Sequence, residues 1–139
     1  QILSQRSDIR VVGDRFVFQS EVLFDSGAAD INPGGSAELS RLAEAVLELE
    51  AAIPSEINWV IRVDGHTDSR PLSGTGRFAT NWELSTARAT SVVRFLIDQG
   101  VSPEHLMAAG FGEFQPIAEG DDLESLARNR RIEFKLTER

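Results

Sequence analysis

The sequence predicts an α/β sandwich, in which one mixed β-sheet is covered by two long helices. In two stretches apolar residues recur at three- and four-residue spacing, which predicts amphipathic helices beginning at Asn32 and near Asn81. Elsewhere apolar and polar residues alternate, as they do in strands with one buried face. With 139 residues the chain has the length of one domain, which can bury about two-thirds of its unfolded surface.

The chain opens with a predicted linker and a β-hairpin. Residues 1–8 are polar and aperiodic, so we interpret them as a linker, the alternative being an arm that binds a partner. Segments 9–12 and 15–18 flank Gly13-Asp14, a pair that suits a two-residue type II′ turn. The folded domain is therefore expected to cover residues 9–139.

The first helix is predicted from Asn32 to just before Pro54, because Asn as N-cap followed by Pro is a common helix start. Its buried stripe is expected to consist of Leu39, Leu42, Ala43, Val46 and Leu47. Its solvated outer face is expected to consist of Glu38, Arg41, Glu44, Glu48 and Glu50. In the preceding loop, 25–31, Asp25 is either part of a pocket rim or an ordinary turn former.

A half-buried strand is predicted next, since Ile57, Trp59, Ile61 and Val63 occupy every second position. We assign Trp59 to the core and not to a sugar-stacking surface. The loop 69–80 that follows is longer than a simple connector, and such loops often carry function. Thr80 and Asn81 compete as N-cap of the second helix, which Gly100 ends.

The last part of the chain contains short elements. A helical turn is predicted at Ser102, a strand at 106–109 and a short helix at 123–128. The alternation of Ile132, Phe134 and Leu136 predicts a final strand.

Composition excludes several classes of function. The net charge of −8 argues against a nucleic-acid surface, because only Arg128, Arg130 and Arg131 form a basic cluster. Cysteine is absent, so there is neither a disulfide nor a thiolate metal site. No apolar run approaches the roughly 20 residues that span a bilayer. Because the sequence starts at Gln1, we expect it to be part of a longer protein whose anchor lies elsewhere.

One acid and one base stand out as candidate ligand-binding residues. Asp68 follows the central strand and Arg88 lies near the start of the second helix, so the two charges can meet in one pocket. A ligand carboxylate would contact Arg88 and the backbone amides near Leu84, and a ligand ammonium would contact Asp68. Thr67 and Asn81 would add hydrogen bonds. The alternative is an internal Asp68–Arg88 salt bridge.

A metal-dependent hydrolase is the competing class of function. Asp64, His66 and Asp68 would lie on one face of a regular strand and could hold zinc. However, the only other histidine is His105, in a distant surface turn, and no H-E-x-x-H pattern occurs. We therefore expect no metal and no cofactor, and a structural hydrogen bond from His66 beneath the pocket.

Four motifs in order resemble the OmpA-like peptidoglycan-binding domain. They are Gly65-His66-Thr67-Asp68, Asn81-Trp82-Glu83-Leu84-Ser85 with Arg88-Ala89, Gly110-Phe111-Gly112-Glu113 with Pro116, and Asn129-Arg130-Arg131-Ile132-Glu133-Phe134. The resemblance covers residues 22–136, and the second motif with the long gap before it is most similar to the MotB-type stator branch. The family implies the same α/β sandwich, with β/α/β/α/β order.

The resemblance also implies a function and a location. In the family, the residues matching Asp68 and Arg88 hold the charged end of diaminopimelate in the peptidoglycan stem peptide, without catalysis. This chain would then be a periplasmic domain that anchors a membrane-associated protein, such as an ion-driven motor stator, to the cell wall. A homodimer and a membrane-embedded motor or channel partner, reached through a missing N-terminal segment, are further expectations.

Two alternatives stay open beside the resemblance. Arg130 opens the last strand beside the pocket, where it either supports the site or is simply a charged strand start. The domain as a whole is either a cell-wall binder, a metal-dependent cell-wall hydrolase, or an interaction module that keeps this fold without a ligand.

Overall fold

The computed structural model describes residues 10–12, 15–72 and 76–138. The strands are β1 (Arg10–Val12), β2 (Arg15–Gln19), β3 (Trp59–His66), β4 (Leu106–Gly110) and β5 (Arg131–Glu138). The helices are α1 (Ser20–Leu23), α2 (Pro33–Ala52), α3 (Asn81–Asp98) and α4 (Leu123–Asn129), and a 3₁₀ turn spans Pro103–His105. The predicted linker, 1–8, and the turn Gly13-Asp14 lie outside the described residues, so both stay predictions.

The strands form one mixed sheet in the order β1-β2-β5-β3-β4. β3 and β4 are parallel, and every other neighbouring pair is antiparallel. A parallel pair needs a long crossover connection, and α3 supplies it. The predicted α/β fold, with two long helices packed on a mixed sheet, is confirmed.

The main core lies between the two long helices and one face of the sheet. The sheet contributes Phe16, Phe18, Trp59, Ile61, Val63, Ile132 and Phe134, and the helices contribute chiefly Leu39, Leu42, Val46, Ala89, Val92 and Leu96. Alternate residues of each strand point to this face, as the period of two requires. Trp59 is a core residue, as predicted, and its ring stacks on His105 with centroids 3.9 Å apart.

Both long helices begin at side-chain caps. The Asn32 side chain accepts a hydrogen bond from the Gly35 amide at 2.6 Å. The N-cap of α3 is Thr80 and not Asn81, because the Thr80 hydroxyl accepts a hydrogen bond from the Glu83 amide at 3.2 Å. Asn81 is the first residue of the helix, which leaves its side chain free to reach into the neighbouring loop.

Several features differ from the sequence prediction. Ile57 precedes β3 and is 48% exposed. The strand β3 is buried on both faces except at Arg62, because the long helices cover one face and charged side chains that bind one another cover the other. Glu50 does not lie on the solvated face of α2, since its carboxylate accepts from the Ser102 amide at 3.0 Å and lies 2.7 Å from His105 Nδ1. The single-turn helix α1 was not predicted, because a four-residue element has no periodicity to read.

Two glycines allow α3 to approach the sheet closely. A Cβ on Gly65 would lie 2.2 Å from the carbonyl oxygen of Ser85, and one on Gly110 would lie 2.0 Å from Thr86 Oγ1. Any larger residue would push the helix away from the ends of β3 and β4. This contact sets the segment after β3 beside the first two turns of α3, where the candidate site lies.

Candidate ligand-binding site

A cleft of about 650 Å³ opens beside the end of β3 and the start of α3. Its lining includes five of the six predicted ligand-binding residues, namely Thr67, Asp68, Asn81, Leu84 and Arg88, together with Arg130. Asp25 does not line the cleft with its side chain, but its backbone carbonyl accepts a hydrogen bond from Arg88 Nη2 at 3.3 Å. The fold therefore brings the predicted residues together from β3, α3 and the start of β5.

Asp68 is held by two arginines. Its Oδ2 atom accepts hydrogen bonds from Arg130 Nη1 at 2.6 Å and from Arg70 Nη2 at 2.9 Å, and its Oδ1 accepts from the Arg70 amide at 3.0 Å. Burial acts to raise the pKa of Asp68, but the hydrogen bonds from Arg130 and Arg70 outweigh it and lower the pKa. The carboxylate is therefore ionised at neutral pH.

Arg88 is a buried cation whose bonded partners are uncharged. It is only 5% exposed, its Nε donates to the Ala28 carbonyl at 2.7 Å, and its guanidinium lies 5.0 Å from the centre of the Phe24 ring. Burial lowers its pKa to about 10, so it keeps its proton at neutral pH. No carboxylate within the described parts of the chain forms an ion pair with it, so the alternative Asp68–Arg88 salt bridge is not formed.

Thr67 and Asn81 fix the backbone that carries Asp68. The Thr67 hydroxyl donates to the Asp68 carbonyl at 2.9 Å. The Asn81 side-chain amide donates to the Arg70 carbonyl at 3.0 Å and to Glu113 Oε1 at 3.3 Å. Both side chains line the cleft, and these hydrogen bonds hold the protein backbone in place.

Leu84 lines the cleft with its side chain and not with its amide. The Leu84 N–H already donates to the Thr80 carbonyl at 3.1 Å, as the first hydrogen bond of α3. The expected contact between a ligand carboxylate and this amide is therefore not available from Leu84. Anion recognition at this end of the cleft falls mainly on Arg88.

Sequence reasoning named Arg130 as a supporting residue, as one of two alternatives, but missed two charged residues near it, Arg70 and Glu21, and the Phe24 ring. Arg130 bridges Asp68 to Glu21, and although burial acts to lower the pKa of Arg130, its hydrogen bonds to those two carboxylates raise it. Arg70 follows Asp68 by two residues, a spacing at which an ion pair can be suspected. Glu21 and the Phe24 ring belong to a segment with no motif, so nothing in the sequence connects them to Arg130 or Arg88.

The other face of the sheet carries a second group of charged side chains, which we call the polar layer. Its members are Arg15, Arg62, Asp64, His66, Arg131 and Glu133. Arg62 Nε donates to both oxygens of Asp64 at 2.8 and 3.0 Å. Arg131 Nε donates to Glu133 at 2.6 Å, and Arg15 lies 3.3 Å from the same carboxylate.

His66 lies in the polar layer without a hydrogen bond. Both ring nitrogens are buried and unpartnered, Nε2 is 3.7 Å from Glu133, and the ring stacks on Phe111 with centroids 4.9 Å apart. Burial, and then the charge of Arg131, lower the pKa of His66 to about 4. The expected structural hydrogen bond from His66 is therefore replaced by ring stacking.

The polar layer bears on the metal alternative. Asp64, His66 and Glu133 can bring one ligand atom each within 4.8 Å of one another, so the third possible ligand is Glu133 and not the predicted Asp68. Both carboxylates, however, already bind guanidinium groups, and three arginines would repel a cation placed among them. The donor set fits an internal ion-pair network better than a metal centre.

The chain is similar to a known family along most of its length. The OmpA family model matches residues 23–130. The chain is 34% identical over 135 residues to the uncharacterized protein YtxE of Bacillus subtilis, covering 96% of this chain and 51% of that protein. It is 36% identical over 116 residues to motility protein B of Helicobacter pylori, covering 83% and 42%. It is 37% identical over 100 residues to the peptidoglycan-associated lipoprotein of Pseudomonas aeruginosa, covering 72% and 56%.

Solved structures agree with this assignment. A MotB-like protein from Desulfovibrio vulgaris superimposes with a TM-score of 0.84 at 34% identity, covering 94% of this chain and 82% of that one. The periplasmic domain of Helicobacter pylori MotB gives 0.78 at 30%, covering 94% and 80%. The cell wall anchor of the type VI secretion system from Pseudomonas aeruginosa gives 0.74 at 30%, covering 97% and 89%. The chain spans about half the length of the curated relatives it matches, and it belongs to the OmpA family.

Proposed function

We propose that this domain binds peptidoglycan without cleaving it, through the diaminopimelate of the stem peptide, and so anchors a larger protein to the cell wall. One observation carries the proposal above all. The cleft contains a protonated, buried Arg88 with only uncharged partners among the described residues, and an ionised Asp68 lies in the same cleft. A ligand with one carboxylate and one ammonium on the same carbon would complement both.

The carboxylate and the ammonium of this ligand would meet side chains that are paired differently. A ligand carboxylate would give Arg88 the counter-charge that it lacks, and the planar guanidinium is suited to bidentate binding of a carboxylate. A ligand ammonium would have to share Asp68 with Arg70 and Arg130. Arg70 is the easier to displace, because its side chain is 57% exposed and water can solvate it once it leaves.

The family members support the anchoring role. They include a protein named for its association with peptidoglycan, a cell wall anchor and the periplasmic domains of MotB. The domain is periplasmic, like the MotB domains whose fold it shares, and so it would face the cell wall. Among the described residues, no helix combines the length and hydropathy needed to cross a bilayer.

The proposal extends to the protein of which this domain would be one part. A membrane anchor outside these residues, a place in the stator of an ion-driven motor, a homodimer and a membrane-embedded motor or channel partner all follow from the likeness to MotB. These wider roles need the full-length protein for their test. An apolar segment of about 20 residues with one acidic residue, ahead of this domain, would identify a stator.

The binding proposal is tested with two stem peptides that differ in one group. Calorimetric titration would compare a peptide containing diaminopimelate with one containing lysine, which keeps the ammonium and lacks the carboxylate. We expect the wild-type domain to bind the first at least tenfold more tightly, since a charge-assisted hydrogen bond contributes about 1.5–3 kcal/mol. Arg88→Ala should abolish that preference, whereas Arg94→Ala, an exposed arginine on the same helix, should keep it.

A sedimentation assay separates binding from hydrolysis. The purified domain should co-sediment with isolated cell-wall sacculi and leave them intact. Release of soluble muropeptides that a chelator prevents would contradict the proposal and favour a hydrolase instead. Equal affinity of the folded Arg88→Ala variant and the wild type for the diaminopimelate peptide would make Arg88 a structural residue.

A further inference from the structure

Two exposed aromatic side chains, Trp82 and Phe114, directly follow Asn81 and Glu113 in the chain, and these two residues are joined by a hydrogen bond. Trp82 is 51% exposed and Phe114 is 58% exposed, and their rings stack with centroids 5.1 Å apart at an angle of 28°. We call this pair the aromatic platform. Large aromatic rings are usually buried, because each one removes much apolar surface from water, so an exposed stacked pair indicates an interaction surface.

The platform is held in place by the protein and not by a ligand. Both rings lie over the backbone of Gly112, where a Cβ would be only 3.4 Å from each. The Gly112 amide donates to the Ser85 hydroxyl at 3.0 Å, which fixes this loop against α3. A rigid aromatic surface loses little conformational entropy when it binds a flat apolar face.

The platform is continuous with the cleft. Asn81 lines the cleft, precedes Trp82 in the first turn of α3, and donates to Glu113, the neighbour of Phe114. On the other side of Trp82, an open depression of about 410 Å³ is lined by Phe78, Trp82, Glu83, Thr86 and Ala87. The platform therefore lies next to Asn81, within reach of a ligand that extends from the cleft past this residue.

We propose that the aromatic platform, with the depression beside Trp82, is a glycan subsite that takes one pyranose ring of the peptidoglycan strand. The proposal rests on the proposed function of the cleft. A pyranose presents one face of C–H groups, which packs on an aromatic face, and a rim of hydroxyl groups, for which Glu83 and Thr86 in the lining of the mainly apolar depression offer polar partners. A stem peptide bound in the cleft is joined to such a sugar within a few residues, each spanning at most about 3.6 Å.

Charge favours a neutral sugar over an anionic partner. The chain carries a net charge of −8, and Glu83 and Glu113 flank the platform. An anionic membrane surface or a polyanion would be repelled here. A sugar whose lactyl group is joined to the stem peptide has lost that carboxylate charge, so it can approach without this cost.

The test uses three probes with the purified domain. The first is a free stem peptide containing diaminopimelate, the second is the same peptide attached to its disaccharide, and the third is a peptide-free glycan oligosaccharide. We expect the wild type to bind the disaccharide-peptide about threefold to tenfold more tightly than the free peptide, the scale of one aromatic contact. Trp82→Ala and Phe114→Ala should each remove most of this surplus, and Trp82→Phe should keep part of it.

Fluorescence gives an independent readout. Trp59 is buried and Trp82 is exposed, so binding of the peptide-free glycan should shift the Trp82 emission to shorter wavelength. The matched control is Leu123→Ala, which removes an exposed apolar side chain from the start of α4. This variant should retain the full surplus for the disaccharide-peptide, with folding of every variant checked by circular dichroism.

The outcomes separate this inference from the function on which it rests. Wild-type domain that binds the free peptide and the disaccharide-peptide equally would overturn the glycan subsite and leave the cleft intact. Absence of binding to the free peptide, with the Trp82 shift still present, would overturn the cleft and support the subsite. Sedimentation analysis showing a dimer that Trp82→Ala dissociates, without any glycan effect, would assign the platform to a second copy and overturn the proposal.

Discussion

The cleft and the polar layer contain the same kinds of side chain, yet they differ in how the charged groups are paired. In the polar layer both carboxylates bind arginines directly, and Arg131 also donates to the carbonyls of Asn129 and Gln115. In the cleft, the hydrogen-bond acceptors of Arg88 within the described residues are backbone carbonyls, and its guanidinium lies at a cavity that reaches solvent. For this reason the proposed ligand site is the cleft, where a buried guanidinium without a directly bonded carboxylate among the described residues lies beside open space, and not the larger cluster of charges in the polar layer.

The largest effect should come from breaking an ion pair in the polar layer. Arg131→Ala would leave the buried carboxylate of Glu133 with the more exposed Arg15 as its remaining arginine partner. Removal of one member of a buried pair costs about 3–5 kcal/mol of unfolding free energy. Urea denaturation would measure it, with the exposed Arg94→Ala as control. A loss below about 1 kcal/mol would show that the pair is not a stabilising unit.

The next effect is a pH dependence of stability that originates at His66. Its pKa is lowered from 6.5 to about 4 in the folded protein, so between these values the unfolded chain takes up a proton that the folded chain does not. Stability is therefore lost as the pH falls from about 6.5 through 4, by about 3 kcal/mol in total. Arg131, Arg15 and Arg62 all oppose protonation of the ring, and Glu133 favours it.

A substitution isolates this contribution from other titrating groups. His66→Gln should flatten the dependence between pH 6.5 and 4, since glutamine has no proton to gain there. Burial raises the pKa of Asp64, so the folded protein binds this proton more readily than the unfolded chain, and the effect on stability has the opposite sign. This contribution is the same in the wild type and in the His66→Gln variant, so it does not affect their comparison. Parallel curves of unfolding free energy against pH for the two proteins would contradict the assignment.

The cleft should respond to substitution in affinity more than in stability. Asp68→Ala should weaken binding of the diaminopimelate peptide by about tenfold to a hundredfold, because the ligand ammonium loses the carboxylate proposed to bind it. Arg88→Lys should recover only part of the loss of Arg88→Ala, since an ammonium cannot present the planar fork of a guanidinium. Calorimetry on folded variants measures both, and full recovery by lysine would show that charge alone is recognised.

The sequence was sufficient for the fold and for the main pair of the candidate site. Periodicity located both long helices and the central strand, and the motif order placed Asp68 and Arg88 in one cleft. The hydrogen-bond partners of these two residues could not be predicted. Asp68 binds Arg130, which lies 62 residues away in the sequence, and Arg88 binds backbone carbonyls. Every residue has a backbone carbonyl, so the sequence does not show which carbonyls Arg88 binds. Which distant arginine reaches Asp68 depends on how the elements pack in three dimensions.

The smallest expected change tests whether Asp68 exchanges partners. In the proposed complex Arg70 would compete with a ligand ammonium for Asp68, and loss of the half-exposed Arg70 would leave the buried carboxylate still paired with Arg130. Arg70→Ala should therefore leave stability nearly unchanged and raise the affinity for the diaminopimelate peptide by roughly twofold to fivefold. Arg77→Ala removes the same charge from the same loop but breaks a pair with Asp30, so it is the matched control. Weaker binding by the Arg70 variant alone would mean that Arg70 contacts the ligand directly, and that Asp68 does not exchange one cation for another.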